Sequence, residues 1–225
     1  MPSVTQPAEF FVVGGPVQPE RPCYVERAAD RRLNEALRAK RLCCVLGARA
    51  IGKSSLLLRV ARDLRASGTL VASVDLRRIA DTGAHDTEDG WLRRVAERIA
   101  AELKLGVDVQ SWWSAREAVG ENRLVEFFWE IVLTNTTAPV VVLIDEVDAA
   151  LELPFATDFL DGIAGCYERR NREPDFARLG FALAGCTSQR ALADEPVSPF
   201  AEAEVIEPQD FDAKQEYRLA VAFGG

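Results

Sequence analysis

The sequence is poor in the residues that carry most metal and nucleophile chemistry. It has one histidine, His85, and no C-x-x-C pair. That argues against a zinc centre and against Ser-His-Asp or Cys-His catalysis. Its five cysteines (Cys23, Cys43, Cys44, Cys166 and Cys186) are odd in number and read as free thiols rather than a disulfide framework. The longest strongly apolar run, Pro139 to Ile144, falls far short of the ~20 residues of a membrane helix. The start, MPSVTQPAEFF, lacks the basic residues and apolar stretch of a secretory signal. These absences lead us to expect a cytoplasmic protein with no membrane partner.

What is present is the balance of a globular chain. Of 225 residues, 48% are hydrophobic and 28% charged, enough for one domain with its own core. The net charge of −8 argues against a general nucleic-acid binder, since such domains show a basic footprint. The charge is unevenly spread. Residues 1–78 carry 14 basic and 7 acidic side chains, residues 79–225 carry 13 and 28. Solvated helix faces account for this; a basic face that meets phosphate or an acidic partner is the sharper alternative. His85 lies in the polar stretch DTGAHDTEDG and reads as a surface residue.

Along the chain, residues 1–22 hold five prolines and the Gly14–Gly15 pair and predict an extended arm. Helical periods run over Arg27–Lys40, Lys53–Ala66, Trp91–Leu103, Arg123–Thr134, Asp158–Arg172 and Asp210–Ala222. Apolar runs at Leu42–Leu46, Leu70–Leu76, Val140–Ile144 and Leu179–Ala184 predict buried strands, with Val205–Ile206 a fifth. Cys43 and Cys44, adjacent in a strand, should face opposite sides of the sheet. A loop is expected over 81–90, and Trp112–Trp113 in a short connector. The alternation predicts a three-layer α/β fold with a mostly parallel sheet.

Gly47-Ala48-Arg49-Ala50-Ile51-Gly52-Lys53-Ser54 fits G-x-x-x-x-G-K-[ST] between a predicted strand and helix. The glycines let the backbone wrap an anion, successive N–H groups point inward, and the start of the following helix adds a positive field. Lys53 should reach the β- and γ-phosphates, Ser54 should ligate Mg²⁺, and Ser55 should contact the α-phosphate. The strand Val140–Ile144 delivers Asp145 and Glu146 at its carboxyl end, where open α/β sheets bind ligands. Asp145 suits the Mg²⁺ shell and Glu146 the polarisation of an attacking water. Asp148 reads as a helix-start residue rather than a ligand. After the fourth strand, Thr187 or Ser188 is a candidate γ-phosphate sensor, with a helix N-cap the alternative. Arg169, Arg170, Arg172, Arg178 and Arg190 are candidates for an arginine acting on a neighbouring subunit. No N-K-x-D is present, so adenine is the expected base.

These residues resemble the AAA-like ATPase domain of bacterial STAND-type signalling proteins, an AAA+-related branch of P-loop NTPases. The resemblance rests on Tyr24-Val25-Glu26-Arg27 with Ala29-Asp30, on Gly52-Lys53-Ser54-Ser55 and on the Trp112–Trp113 pair. It continues through Ile144-Asp145-Glu146-Val147-Asp148, Leu153–Asp158, Pro199–Phe200, Ile206–Glu207 and Phe211. It implies a five-stranded sheet with the fourth strand between the first and third. It also implies Val25 and Arg27 beside the adenine, and residues 1–26 as arm and adenine-side loop ahead of an ATPase domain at 27–225. Relatives continue into a helical lid, which is expected to be truncated or absent here.

The expected function is that of a Mg²⁺-dependent, slowly ATP-hydrolysing switch that binds ATP or ADP in a signalling or defence protein, with self-association or an effector or sensor as partner. The alternative is a nucleotide-gated interaction module without significant turnover. A small-molecule kinase and a DNA-handling ATPase rank below both.

Overall fold

The computed structural model describes residue 12 and residues 14–80, 87–115, 121–192 and 198–224. His85 therefore lies outside the described residues. Five parallel strands form one sheet in the order β2-β3-β4-β1-β5: β1 Leu42–Leu46, β2 Leu70–Asp75, β3 Val140–Asp145, β4 Leu179–Gly185 and β5 Glu204–Ile206. The fourth strand does lie between the first and third. Buried on both faces, β1, β3 as far as Ile144, and β4 need apolar residues or glycine, which is why they read as unbroken runs.

The two-residue period of the strands divides the core. Cys43, Val45, Val141, Leu143, Ala182 and Ala184 pack with α1 (Ala28–Arg38) and α2 (Lys53–Ala66). Cys44, Leu46, Val142, Ile144, Phe181 and Leu183 belong to the larger cluster on the other face. That cluster contains α4 (Glu88–Glu102), α6 (Glu121–Phe127) and α8 (Ala156–Arg169). Cys43 and Cys44 thus face opposite sides, as their adjacency predicted.

Several local expectations need correction. Leu76 does not continue β2; it opens a short helix, α3 (Leu76–Ala80). The expected 81–90 loop ends early, because Thr87 caps α4 by accepting the Gly90 N–H at 3.2 Å. Trp112 and Trp113 sit in a helix, α5 (Val109–Ser114), rather than a connector. Asp108 caps it, and both indole N–H groups find carboxylates: Trp113 on Asp89 at 2.8 Å and Trp112 on Glu130 at 3.0 Å. The helix after α5 changes to a π-helical turn over Phe128–Leu133. Asp148 starts the short α7 (Asp148–Leu151), Gln189–Leu192 forms α9, and the last helix, α10, spans Ala213–Gly224. From Gly14 to Cys23 the chain makes turns without helix or strand.

Among the described residues no helix is long and apolar enough to cross a membrane.

Candidate functional site

The carboxyl ends of β1, β3 and β4 bring the sequence-predicted residues together. β1 stops at Leu46, and residues 47–52 turn back before α2 starts at Lys53. Ala50 and Gly52 have φ of 64° and 96°, in the left-handed region. For Gly52 the requirement is double: a Cβ there would also stand 2.9 Å from the Arg27 guanidinium. Ala48, Arg49 and Ala50 are exposed at the tip. Lys53 is only 8% exposed, yet its ammonium has a partner for every hydrogen. It donates to Gly47 O and Ala48 O, both at 2.8 Å, and to Cys186 Sγ at 3.2 Å.

The Ser54 hydroxyl stands beside the Asp145 carboxylate and favours its charged form. Burial holds the Asp145 carboxyl above the usual carboxylate range, and the charges of Glu146 and Asp75 push the same way. The Ser54 hydroxyl and the Glu146 N–H, the latter 3.0 Å from Oδ1, oppose them. Glu146 sits next to it with φ of 56°, a conformation a non-glycine residue adopts only when its surroundings impose it. Its carboxylate is ion-paired with Arg77 at 2.6 Å, just past β2.

At the end of β4 the contact to Lys53 comes from Cys186, one position before the expected Thr187. Thr187 is half-buried in the bend that follows. Ser188 takes the capping role, accepting the Ala191 N–H at 3.3 Å. Asp148 does more than start a helix, since its carboxylate accepts the Cys186 N–H at 2.7 Å. Two of the candidate trans-acting arginines are structural and lie at the opposite end of the sheet. Arg178, just before β4, donates to Thr136 O and Leu133 O; Arg170 donates to Lys40 O, just before β1.

On the β5 side, Arg27 is 9% exposed and caps α1. It donates to Ile51 O in the phosphate loop at 2.7 Å and to Gln209 O beyond β5 at 3.4 Å. The guanidinium lies 5.6 Å from the Phe211 ring centroid, and its Nε is buried without a hydrogen-bond partner. A cleft of about 590 Å³ opens here, lined by Arg27, Ala29, Val205, Glu207, Gln209 and Asp212 among others. Val25, half-buried, lies just ahead of Arg27. Ser55 is engaged by the N-terminal arm, its Oγ accepting the Val17 N–H at 2.9 Å.

The donor set suits a polyphosphate. An ammonium and successive backbone N–H groups at the start of a 14-residue helix favour anions. The hard oxygens of Ser54 and Asp145 suit Mg²⁺, which binds few protein ligands and completes its shell with substrate phosphates and water.

Comparison with known proteins bears on the family and the fold. The chain is similar to an uncharacterised WD repeat-containing protein of Synechocystis sp. (strain ATCC 27184 / PCC 6803 / Kazusa), with 32% identity over 196 residues. The match covers 84% of this chain and 16% of that protein's length. The fold resembles the Aeropyrum pernix ORC1 protein solved in complex with DNA, with a TM-score of 0.56, 18% identity, and coverage of 88% of this chain and 49% of that one. It also resembles the Aeropyrum pernix ORC2 protein solved as ADPNP-ADP complexes, with a TM-score of 0.54, 15% identity, and coverage of 87% and 49%. The description "AAA-like domain" matches residues 12–224, nearly the whole chain, and the chain belongs to that family.

Proposed function

We propose that the chain is an adenine-nucleotide-binding switch that hydrolyses ATP slowly, with Mg²⁺ as cofactor. The observation that carries this reading is the phosphate loop itself: Lys53 held over the turn 47–52, near Ser54, Asp145 and Glu146. Gly47 to Ser54 would cradle the phosphates, Lys53 would neutralise their charge, and Ser54 with Asp145 would hold the metal shell. Mg²⁺, when bound, supplies charge neutralisation across the phosphate oxygens. Glu146 would accept the proton of the attacking water once freed from Arg77. Arg27 and Val25 would border the base, beside the cleft that opens on the β5 side. Thr187 keeps a sensing role only through the loop it shares with Cys186.

The setting is a cytoplasmic signalling or defence protein of the STAND type. The Synechocystis relative supports a place beside repeat modules, and this chain spans only 16% of its length. The test is nucleotide binding and phosphate release by the purified chain. Lys53→Ala should lose binding; Glu146→Gln should keep binding and lose hydrolysis. Hydrolysis unchanged in the glutamine variant would remove Glu146 from its role.

A second reading, a nucleotide-gated interaction module without turnover, is favoured by the Arg77–Glu146 pair, which occupies the proposed base. In that case Arg77→Ala would raise hydrolysis from the background. An unchanged rate in Arg77→Ala, beside measurable wild-type turnover, would discard it.

A further inference from the structure

The amino ends of the strands, opposite the phosphate loop, collect a different set of side chains. Trp129, in the π-helical turn ahead of β3, lies flat on Phe176, with ring centroids 5.6 Å apart and planes 2° from parallel. Phe176 is buried, whereas Trp129 is 39% exposed. The Arg169 guanidinium stands 5.9 Å from the Phe176 centroid. Its chain neighbour Arg170 lies 4.6 Å from the Tyr167 ring centroid and donates to Lys40 O. Lys40 in turn donates to Leu37 O at 3.3 Å. Arg38 donates to Asn34 Oδ1 at 2.6 Å and to Asp63 O at 3.4 Å. Contact by contact, the strip runs from an exposed indole through Arg169 and Arg170 to Lys40 and Arg38.

The cations of this strip lack counter-charge. Glu173 is taken by Arg169, Asp175 by Arg178 and Glu204 by Arg41. Arg38, Lys40 and Arg170 make no ion pair among the described residues and rest on neutral oxygens. Burial, and then the like charges of Arg38 and Arg170, pull the Lys40 ammonium below its ordinary value. Like charges held together are a cost that a bound anion removes. The indole adds a second requirement, a flat ring to cover what Phe176 leaves open. We propose that this strip binds single-stranded nucleic acid, with a base stacked on Trp129 and backbone phosphates on Arg170, Lys40 and Arg38. Such a strand carries both phosphates and unpaired bases. An acidic protein segment would engage the cations and leave the indole idle. The net charge of −8 is that of the whole chain; along this strip the unpaired charge is positive.

The experiment follows the fluorescence anisotropy of a labelled oligothymidylate of about 16 nucleotides as the chain is added, over a series of salt concentrations. Wild type should bind, with a slope of log K against log salt of about −2, from three phosphates at about −0.7 each. Trp129→Leu should weaken binding by about tenfold, and Trp129→Phe by less, because it keeps a ring to stack on. Arg38 is exposed, so Arg38→Gln tests the charge without disturbing the core. It and Arg170→Gln should each reduce the slope by about 0.7. A duplex of the same length offers no unpaired base, so its affinity should be indifferent to Trp129→Leu. Lys53→Ala should bind the strand as wild type does, because the phosphate loop lies at the other end of the sheet.

A wild type that binds no strand at low salt would overturn the proposal. So would strand binding lost in Lys53→Ala and kept in Trp129→Leu and Arg38→Gln, which would put the strand on the phosphate loop. Poly-glutamate bound as tightly as the oligonucleotide, with both indifferent to Trp129→Leu, would overturn it in favour of an acidic protein partner. A chain that binds the strand through Trp129 and Arg38 but takes no ATP or ADP would support this site and sink the nucleotide reading alone.

Discussion

The two sides of the site are built in different ways. The phosphate side comes from backbone: one turn of six residues, one helix start, and strand ends held in register. Its lysine is 8% exposed, and the partners of its ammonium include two carbonyls of the loop itself. The β5 side is built from side chains that reach across the chain. Arg27 joins the phosphate loop to Gln209, a sequence separation of 182, and Gln215 donates to Glu26 O across 189 positions. It is also open to solvent: Phe211 is 38% exposed and Tyr217, on α10, 70%. Anion recognition can be stored in a local motif because N–H groups and a helix dipole are generic. Reading a base requires particular side chains, which the fold has to bring together from afar.

That contrast can be broken from either side. The largest expected effect is chemical: Glu146→Gln should lower hydrolysis by about 10²- to 10⁴-fold with nucleotide binding kept, measured as phosphate release against equilibrium binding. Next, Arg27→Ala should cost about 3 kcal/mol in chemical unfolding, because it removes charged hydrogen bonds to Ile51 O and Gln209 O and leaves those carbonyls to be resolvated. Limited proteolysis should then cut between Pro208 and Ala213 faster than in wild type. Gly52→Ala should cost about 1–3 kcal/mol and weaken nucleotide binding, since its φ of 96° and the Arg27 guanidinium both oppose a Cβ. Arg27→Ala in the same chain should recover part of the Gly52→Ala loss, and failure to do so would deny the contact. The smallest effect is Phe211→Ala, about 0.5–1 kcal/mol for an exposed cation–π contact, read by the same unfolding curves.

Much of the phosphate side was legible beforehand, because β1, β3 up to Ile144, and β4 form apolar runs and the loop motif sits between a strand and a helix. Asp145 and Glu146 followed from the end of β3. Cys186 was not legible as a partner of Lys53, because hydroxyl side chains are the expected phosphate sensors at such a strand end. The signal was available in the register: Leu46 pairs with Gly185, which sets Cys186 beside Gly47 once β4 is placed next to β1. Arg77 and the partners of Arg27 were illegible for a different reason. Each depends on where the chain returns after a long excursion, and no local pattern encodes that. The Trp112–Trp113 helix was illegible although its capping by Asp108 is local, because the burial of Trp113 against Asp89 is not. The π-helical turn at Phe128–Leu133 has no counterpart in a 3.6-residue apolar period.

The account stands on nucleotide held by the phosphate loop, and thermal unfolding tests that most directly. The chain and its Lys53→Ala variant would be melted alone and with Mg²⁺-ATP, Mg²⁺-ADP or Mg²⁺-GTP. Ligand at about 100 times its dissociation constant adds about 2.7 kcal/mol, several degrees in a domain of this size. The account predicts a rise with both adenine nucleotides, a smaller one with GTP, and none in the variant. A folded wild type whose melting point is unmoved by any of the three would contradict it.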